Sequence, residues 1–304
     1  MSGAQPTVGR VTELVRATSN YLRDRPRLRL FVLLALPVTF LVAIFVIPLL
    51  IMGWYSFLSD MPPASLTLDN YAQALSTDLY LGIIWRTTVI TIQTTVIVTI
   101  LGYSMAYSLV RFSKKATLLL VLVILPFWTN YIIRMYAWMN ILQSGGVLDT
   151  LLMWTTITSE PLGLLYTQTA VLIGFIYIWL PLATLPFYAS LTNMDPNLID
   201  AAKDLGAGPI KTFLTVTLPT TMNGIVVGII LVAIPTFGSF ITPALLGGTD
   251  NVMIGMTIED QFVSTFNWPF GAALAVIVSL FVVTAMLIAL LLGTDLFKQQ
   301  GVDQ

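Results

Sequence analysis

Two groups of residues in this chain could do chemistry on a charged small molecule. Glu259 and Asp260 place paired carboxylates shortly before an apolar run, and Trp128, Tyr131, Tyr136 and Trp138 place aromatic rings along another. Carboxylates hold ammonium groups by charge-assisted hydrogen bonds, and indole and phenol faces attract cations through their quadrupoles. The same residues have a plain reading as an aromatic belt and an acidic outer loop, which occur in membrane proteins of any cargo. Bond-making chemistry has fewer tools. The chain has no histidine and no cysteine, so the commonest general base, thiolate nucleophiles, disulfides and cysteine or histidine metal sites are excluded. It has no Gly-x4-Gly-Lys-[Ser/Thr] segment, hence no phosphate-binding loop of that type.

Composition says what solvent the positioning elements face. Of 304 residues, 57% are hydrophobic and 10% charged, against about a quarter charged in an ordinary soluble domain. The charges gather in patches between long uncharged runs, the pattern that hydrocarbon imposes because a charge inside it is costly. A helix crosses a ~30 Å hydrocarbon core in about 20 residues. Six runs reach that length, approximately Leu30 to Tyr55, Ile84 to Val110, Ala116 to Leu142, Gln168 to Leu191, Met222 to Leu246 and Pro269 to Leu292. The expected fold is all-α, an integral membrane protein of six transmembrane helices. Pro37, Pro48, Pro126, Pro181, Pro186 and Pro235 lie inside the runs and predict kinks, tolerated where neighbouring helices, hydroxyls or water satisfy the freed carbonyls. Gly224 and Gly228 form a G-x-x-x-G in the fifth run; that spacing permits close helix approach and also arises by chance in apolar helices.

Basic residues give the orientation. Six arginines precede the first run, Arg111, Lys114 and Lys115 follow the second, Lys203 and Lys211 the fourth, and Lys298 the sixth, so twelve of 14 basic residues share the side of the N-terminus. The loops over 57–83, 143–167 and 247–268 hold none, yet carry Asp60, Asp69, Asp78, Asp149, Glu160, Asp250, Glu259 and Asp260. Both termini are expected in the cytoplasm, and Arg86 and Arg134, near outer ends of runs two and three, are expected to snorkel to the interface. The first run is too long for a signal-peptide core and has no small-residue cleavage pattern behind it, so it reads as an uncleaved anchor. The expected organisation is a cytoplasmic arm over 1–29, amphipathic through Val11, Leu14 and Val15 and suited to an anionic lipid leaflet, a membrane domain over 30–292, and a cytoplasmic tail over 293–304. A net charge of −1 argues against a nucleic-acid partner, which would need a basic face.

The loop from Asp195 to Pro219, between runs four and five, is the most informative segment. Leu198, Ala201, Ala202 and Leu205 are spaced as one helical stripe, and Ile210, Phe213, Leu214 and Thr217 repeat the pattern after the Gly206-Ala-Gly-Pro209 break. Two short helices are predicted. Helices this short are marginal alone, so they pack on their own bundle or on another protein. Spacing leaves both open.

The string Asp200-Ala-Ala-Lys-Asp-Leu-Gly206, then nine residues, then Val216-Thr-Leu-Pro219 resembles the E-A-A-x-x-x-G-x9-I-x-L-P signature of ABC importer permeases, with aspartate for the usual glutamate and valine for the usual isoleucine. The resemblance implies a type I permease bundle in a bacterial-type plasma membrane, with cytoplasmic coupling helices that dock on separate ATPase subunits. Asp200, Ala201, Ala202 and Gly206 would form the core of that surface, with Ile210 and Phe213 on the second helix and Leu218 and Pro219 leading into the fifth run. Gly206 also has a physical reason of its own, because a tight turn between docked helices favours positive φ.

Further strings, Pro126-Phe-Trp-Thr-Asn130, Arg134, Ala137-Trp138, Gly145-Gly146, Leu246-Gly-Gly248, Gln261-Phe262 and Trp268-Pro-Phe-Gly271, are similar to those of spermidine and putrescine permeases. That similarity covers about residues 30 to 292. It implies a polyamine cargo, with Trp128, Tyr131, Tyr136, Trp138, Glu259 and Asp260 as candidate path residues, although importers of opines, aminophosphonates or iron share several strings. It also implies a second, homologous permease, two ATPase subunits that hold ATP and Mg2+, and an extracytoplasmic binding protein, with no cofactor bound by this chain. A secondary transporter would be favoured by carboxylates inside the runs, and none of the six holds one. An intramembrane enzyme would need a nucleophile with its base, which the composition withholds.

Overall fold

The computed structural model describes residues 26–60 and 64–298. Most of the expected amphipathic arm therefore lies outside the described residues, while from Pro26 the chain is already helical. Hydrocarbon gives backbone N–H and C=O groups no outside partner, so apolar runs close their own hydrogen bonds as helices. In chain order these are α1 (Pro26–Leu41), α2 (Ile47–Tyr55), α3 (Asp69–Ser76), α4 (Asp78–Phe112), α5 (Ala116–Ile124), α6 (Tyr131–Leu142), α7 (Val147–Trp154), α8 (Gln168–Thr192), α9 (Asn197–Asp204), α10 (Pro209–Thr212), α11 (Leu218–Thr220), α12 (Met222–Phe237), α13 (Ile241–Leu246), α14 (Ile254–Val263) and α15 (Trp268–Lys298).

Four segments are long and apolar enough to cross a membrane: Pro37–Tyr55, Asp78–Phe112, Gln168–Thr192 and Trp268–Leu287. Two more candidates are bent pairs, Ala116–Trp128 with Tyr131–Trp154 at 92° and Pro209–Thr220 with Met222–Phe237 at 67°. The 92° break in the third run is sharper than the kink expected at Pro126, and the 67° bend lies at Thr221, where the fifth run begins. In the third, Pro126 falls in a 3-10 turn, Leu125–Trp128, Thr129 turns extended, and Asn130 starts a new helix by accepting hydrogen bonds from the N–H groups of Ile132 (2.8 Å) and Ile133 (3.4 Å). In the fifth, the helix stops at Phe237 and resumes as α13 after Gly238, Ser239 and Phe240.

Proline also explains two wide turns. A proline has no N–H to give the carbonyl four residues back, and its ring crowds that carbonyl. Ahead of Pro48 the helix widens to a π segment over Val42–Val46, and ahead of Pro219 it does so over Phe213–Thr217.

The centre of the bundle is α4, α8 and α12 packed on one another. Gln168 donates to Gln93 Oε1 at 2.8 Å, and further along both helices Gly102 faces Thr184 and Phe187, so α4 and α8 run in the same direction. The G-x-x-x-G of α12 is a real close approach. Gly224 lies against Ser190 and the Pro186 carbonyl, and Gly228 lies against the ring of Phe187, which is fully buried. The first span behaves differently, since none of its apolar window is buried within this chain. It meets α15 near its end, where the rings of Tyr55 and Trp268 sit 6.2 Å apart.

Candidate functional site

The segment from Asp195 to Pro219 folds as two short helical pieces joined by a capped turn. Asp195 Oδ1 accepts the N–H of Asn197 at 2.9 Å and starts α9. The helix ends where Ala207 N–H donates to Ala202 O (3.0 Å) and Gly206 N–H to Lys203 O (2.8 Å), with Gly206 at φ +79°. This paired pattern is the Schellman cap, whose central position favours glycine because an L side chain opposes the left-handed region. Gly208 then leads into α10, with Pro209 at its first position, where the missing N–H costs nothing.

Exposure divides the loop into an outer ridge and an inner face. Leu205 is 88% exposed and Ile210 76%, with Leu198, Leu214, Asp200, Ala201 and Gly206 also exposed. Ala202, Leu218 and Pro219 are partly buried, and Thr212 and Thr217 are buried. Phe213, expected on the docking side with Ile210, instead turns its ring into the bundle, 6.1 Å from Tyr103 and 5.4 Å from Tyr107 of α4. Just beyond it, the Thr221 hydroxyl donates to Thr217 O at 2.7 Å, which leaves the Tyr103 hydroxyl to donate to Thr221 Oγ1, also at 2.7 Å. The loop is therefore fastened to both α4 and the start of α12. On the outer face Lys203 Nζ lies 2.7 Å from Asp200 Oδ1. That hydrogen bond and the lysine's charge, with a smaller contribution from Arg111, hold the Asp200 carboxyl below the usual carboxylate range.

The expected cargo-binding residues do not converge. Trp128 is 89% exposed and Tyr136 is also exposed. Tyr131 and Trp138 are built into the packing instead: Tyr131 shares a 2.6 Å hydroxyl hydrogen bond with Thr242 of α13, and Trp138 stands edge-on to Tyr177 of α8 at 5.4 Å. Glu259 is half-buried and Asp260 exposed on α14, which rests on α15, α4 and α13. Among the described residues no hydrogen bond, ion pair or ring contact joins either carboxylate to the four aromatics. Arg134, expected near the outer interface, is 9% exposed, its guanidinium carbon 5.3 Å from the Phe127 ring and 5.9 Å from that of Tyr131.

Some residues of interest escaped the pattern reading. Leu205 was legible only as one member of a stripe, yet it is the most exposed apolar side chain of the loop. Thr91, Thr94, Thr95 and Thr99 of α4, with Trp179 Nε1 of α8, bury polar atoms that have no hydrogen-bond partner. Their i, i+3, i+4, i+8 spacing was the available signal, lost because threonine is ordinary in apolar helices. An apolar groove of about 360 Å³ between α4, α12 and α15 is lined by Thr91, Ile230, Phe237 and Phe281 and offers a cation no counter-charge.

Comparison with known proteins is consistent with this geometry. Residues 97–298 match the family described as the binding-protein-dependent transport system inner membrane component. The chain is 40% identical over 211 residues to the spermidine/putrescine transport system permease protein PotB of Salmonella typhimurium, covering 69% of this chain and 73% of the relative. The protein of the same name from Haemophilus influenzae is 37% identical over 255 residues, covering 82% and 88%. The fold matches a chain in the crystal structure of a bacterial ABC transporter involved in the import of the acidic polysaccharide alginate, with a TM-score of 0.73, 16% identity, and coverage of 91% of this chain and 99% of that one. This chain belongs to the family of inner membrane permease components of binding-protein-dependent ABC importers.

Proposed function

We propose that this chain is the six-span permease subunit that forms half of the membrane path of an ATP-driven polyamine importer. The observation that carries the reading is the loop: a signature-bearing turn leaves Leu205 and Ile210 in solvent, on a chain whose relatives are named spermidine/putrescine permeases. Each bent pair counts as one span, and the arginine-rich end, both termini and the loop face the cytoplasm. The outer ridge, with Asp200, Ala201, Gly206 and Ile210, docks on an ATPase subunit; two such subunits, a second permease and an extracytoplasmic binding protein complete the machine. ATP and Mg2+ belong to the ATPase subunits.

The loop's inner face gives the mechanical step. As the ATPase pair closes, the loop moves with it, and Phe213 on Tyr103 and Tyr107, together with the Tyr103 to Thr221 hydrogen bond, passes that displacement to α4 and α12. The path then opens alternately to either side. The test is reconstitution of the complex in liposomes with its binding protein, measuring labelled spermidine and putrescine uptake and ATP hydrolysis. Polyamine-dependent stimulation of both is the expected result. Stimulation by an opine, aminophosphonate or iron complex instead would overturn the cargo while leaving the permease assignment in place.

A further inference from the structure

We infer that the groove between the end of α4 and the start of α5 is a binding site for an anionic phospholipid. The inference needs only that the chain spans a membrane, and it is independent of the cargo and of the ATPase contact. The groove, about 580 Å³, joins two chemistries. Leu109, Phe112, Leu118 and Leu119 wall it with hydrocarbon, and Lys114 and Lys115 line it from the turn that joins the two helices. Leu109 is buried and the other five are exposed, Phe112 at 78%. The walls are held in place before anything binds. The Phe112 ring stands edge-on to Tyr107 at 6.4 Å, and the Lys115 N–H donates to Ser113 Oγ at 3.1 Å, which fixes the turn. Among the described residues no ion pair reaches either lysine. The elements packed most closely on α5 are α4, the 3-10 turn that follows it and α8. Their only carboxylate is Asp78, at the far end of α4, about 50 Å away at the helical rise of 1.5 Å per residue.

Sequence and charge identify the occupant. Residues 87–110 and 116–133 are uncharged and run away from the groove along the two arms that meet there. The lysines therefore mark the level at which apolar helix gives way to headgroups and water. A free anion would pair with the lysines and leave the leucines and Phe112 uncovered. An uncharged alkyl chain would cover those and leave the lysines unpaired. A phospholipid joins hydrocarbon to a phosphate, and the two unpaired positive charges select a net anionic headgroup over a zwitterionic one, as basic pockets between helices do. The chain's own N-terminal arm is unsuited to the groove, because its six arginines against Glu13 and Asp24 give it the same sign as the lysines.

The chain has no cysteine, so Ser104→Cys, exposed on α4 one turn before the groove, can carry a single fluorophore. The full-length chain, in the complex that co-purifies with it, is placed in phosphatidylcholine nanodiscs. These contain increasing fractions of either phosphatidylglycerol or phosphatidylcholine with a nitroxide on the acyl chain, which quenches the fluorophore at short range. Half-quenching should need less labelled phosphatidylglycerol than labelled phosphatidylcholine, by about 5-fold for one lysine and on the order of 30-fold for two. Lys114→Gln with Lys115→Gln should abolish that preference, and Lys114→Arg with Lys115→Arg should keep it. Equal quenching by the two lipids while both lysines are present would overturn the inference without recourse to any variant, as would a preference that survives the double glutamine change. Weak quenching by both lipids would overturn it too, by placing a protein over the groove. Inorganic phosphate added at matched ionic strength should leave the preference intact; its loss would make the groove a site for soluble anions instead.

Discussion

Replacing Gly206 by alanine separates backbone strain from steric crowding. A Cβ at Gly206 would meet nothing within 4 Å, so the volume of the side chain carries no cost inside this chain. What remains is φ +79°, where an L residue costs roughly 1–2 kcal/mol. Gly208 is the internal control: it also has open space around it, at φ −67°, so alanine there should be neutral or stabilise by about 0.4–1 kcal/mol through the unfolded chain. On the proposed reading, an ATPase subunit docks on the Schellman turn as it stands here, and the strain should then appear as a weaker ATPase contact, by a factor of about 5–30 for 1–2 kcal/mol. Titrating the ATPase subunit against permease in nanodiscs reads this directly. Gly206→Ala should bind 5- to 30-fold more weakly than Gly208→Ala, with Gly206→Asn between them because asparagine tolerates the left-handed region. Equal affinities for the two alanine variants would refute the argument that the turn geometry is what the partner reads.

Other outcomes follow from the packing. Gly228→Ala should destabilise the bundle by about 1–3 kcal/mol, because the new carbon lands on the Phe187 ring while Gly102 crowds that ring from the other side; Gly238→Ala, in open space, should not, and thermal unfolding in detergent compares them. Tyr103→Phe removes the donor to Thr221 at a cost of about 0.5–1.5 kcal/mol, and Phe213→Ala strips the loop of its ring contacts with α4; both should keep ATPase binding and lose binding-protein-stimulated hydrolysis, so unchanged stimulation in both would count against the transmission route. For Asp200, the depressed carboxyl pKa means its pairing with Lys203 is present above the usual carboxylate range and is lost as pH falls through the lowered folded-state value. A carbon NMR titration should place the Asp200 midpoint below about 3.9 and return it towards that value in Lys203→Ala; a midpoint unaffected by that change would remove the pairing from the account.

The local rules were legible wherever one residue type satisfies one backbone need. Gly206 in a turn after an i, i+3, i+4 stripe announced a positive φ, and the G-x-x-x-G of the fifth run marked where α12 meets α8. The apolar runs marked six stretches of hydrocarbon length, but length cannot show whether a run stays straight. In the third run Pro126 marks the expected kink, and its size, 92°, comes from Asn130, which caps a new helix two residues after the 3-10 turn ends, a signal that apolar composition masks. The inward turn of Phe213 was hidden for a different reason. Helical spacing says which residues share a stripe, whereas the π segment ahead of Pro219 rotates the residues that follow Thr212, so the stripe that begins at Ile210 splits between solvent and bundle.

The residues whose direction stayed hardest to read from the sequence are those at the limits of what one chain can bury. An interfacial belt, a cargo path and a subunit contact all select tryptophan and tyrosine, because each pairs an apolar body with a polar tip. The fold breaks that tie for Tyr131 and Trp138, which pack on Thr242 and Tyr177, and leaves Trp128 and Tyr136 facing outward near Arg134, which has no carboxylate partner among the described residues. The first span repeats the pattern on a larger scale, since its apolar window is wholly unburied within this chain. Lipid can cover the apolar part of such a surface at no cost. The fold therefore fixes direction only where a neighbour within the chain holds the side chain, as Thr242 holds Tyr131 and Tyr177 holds Trp138.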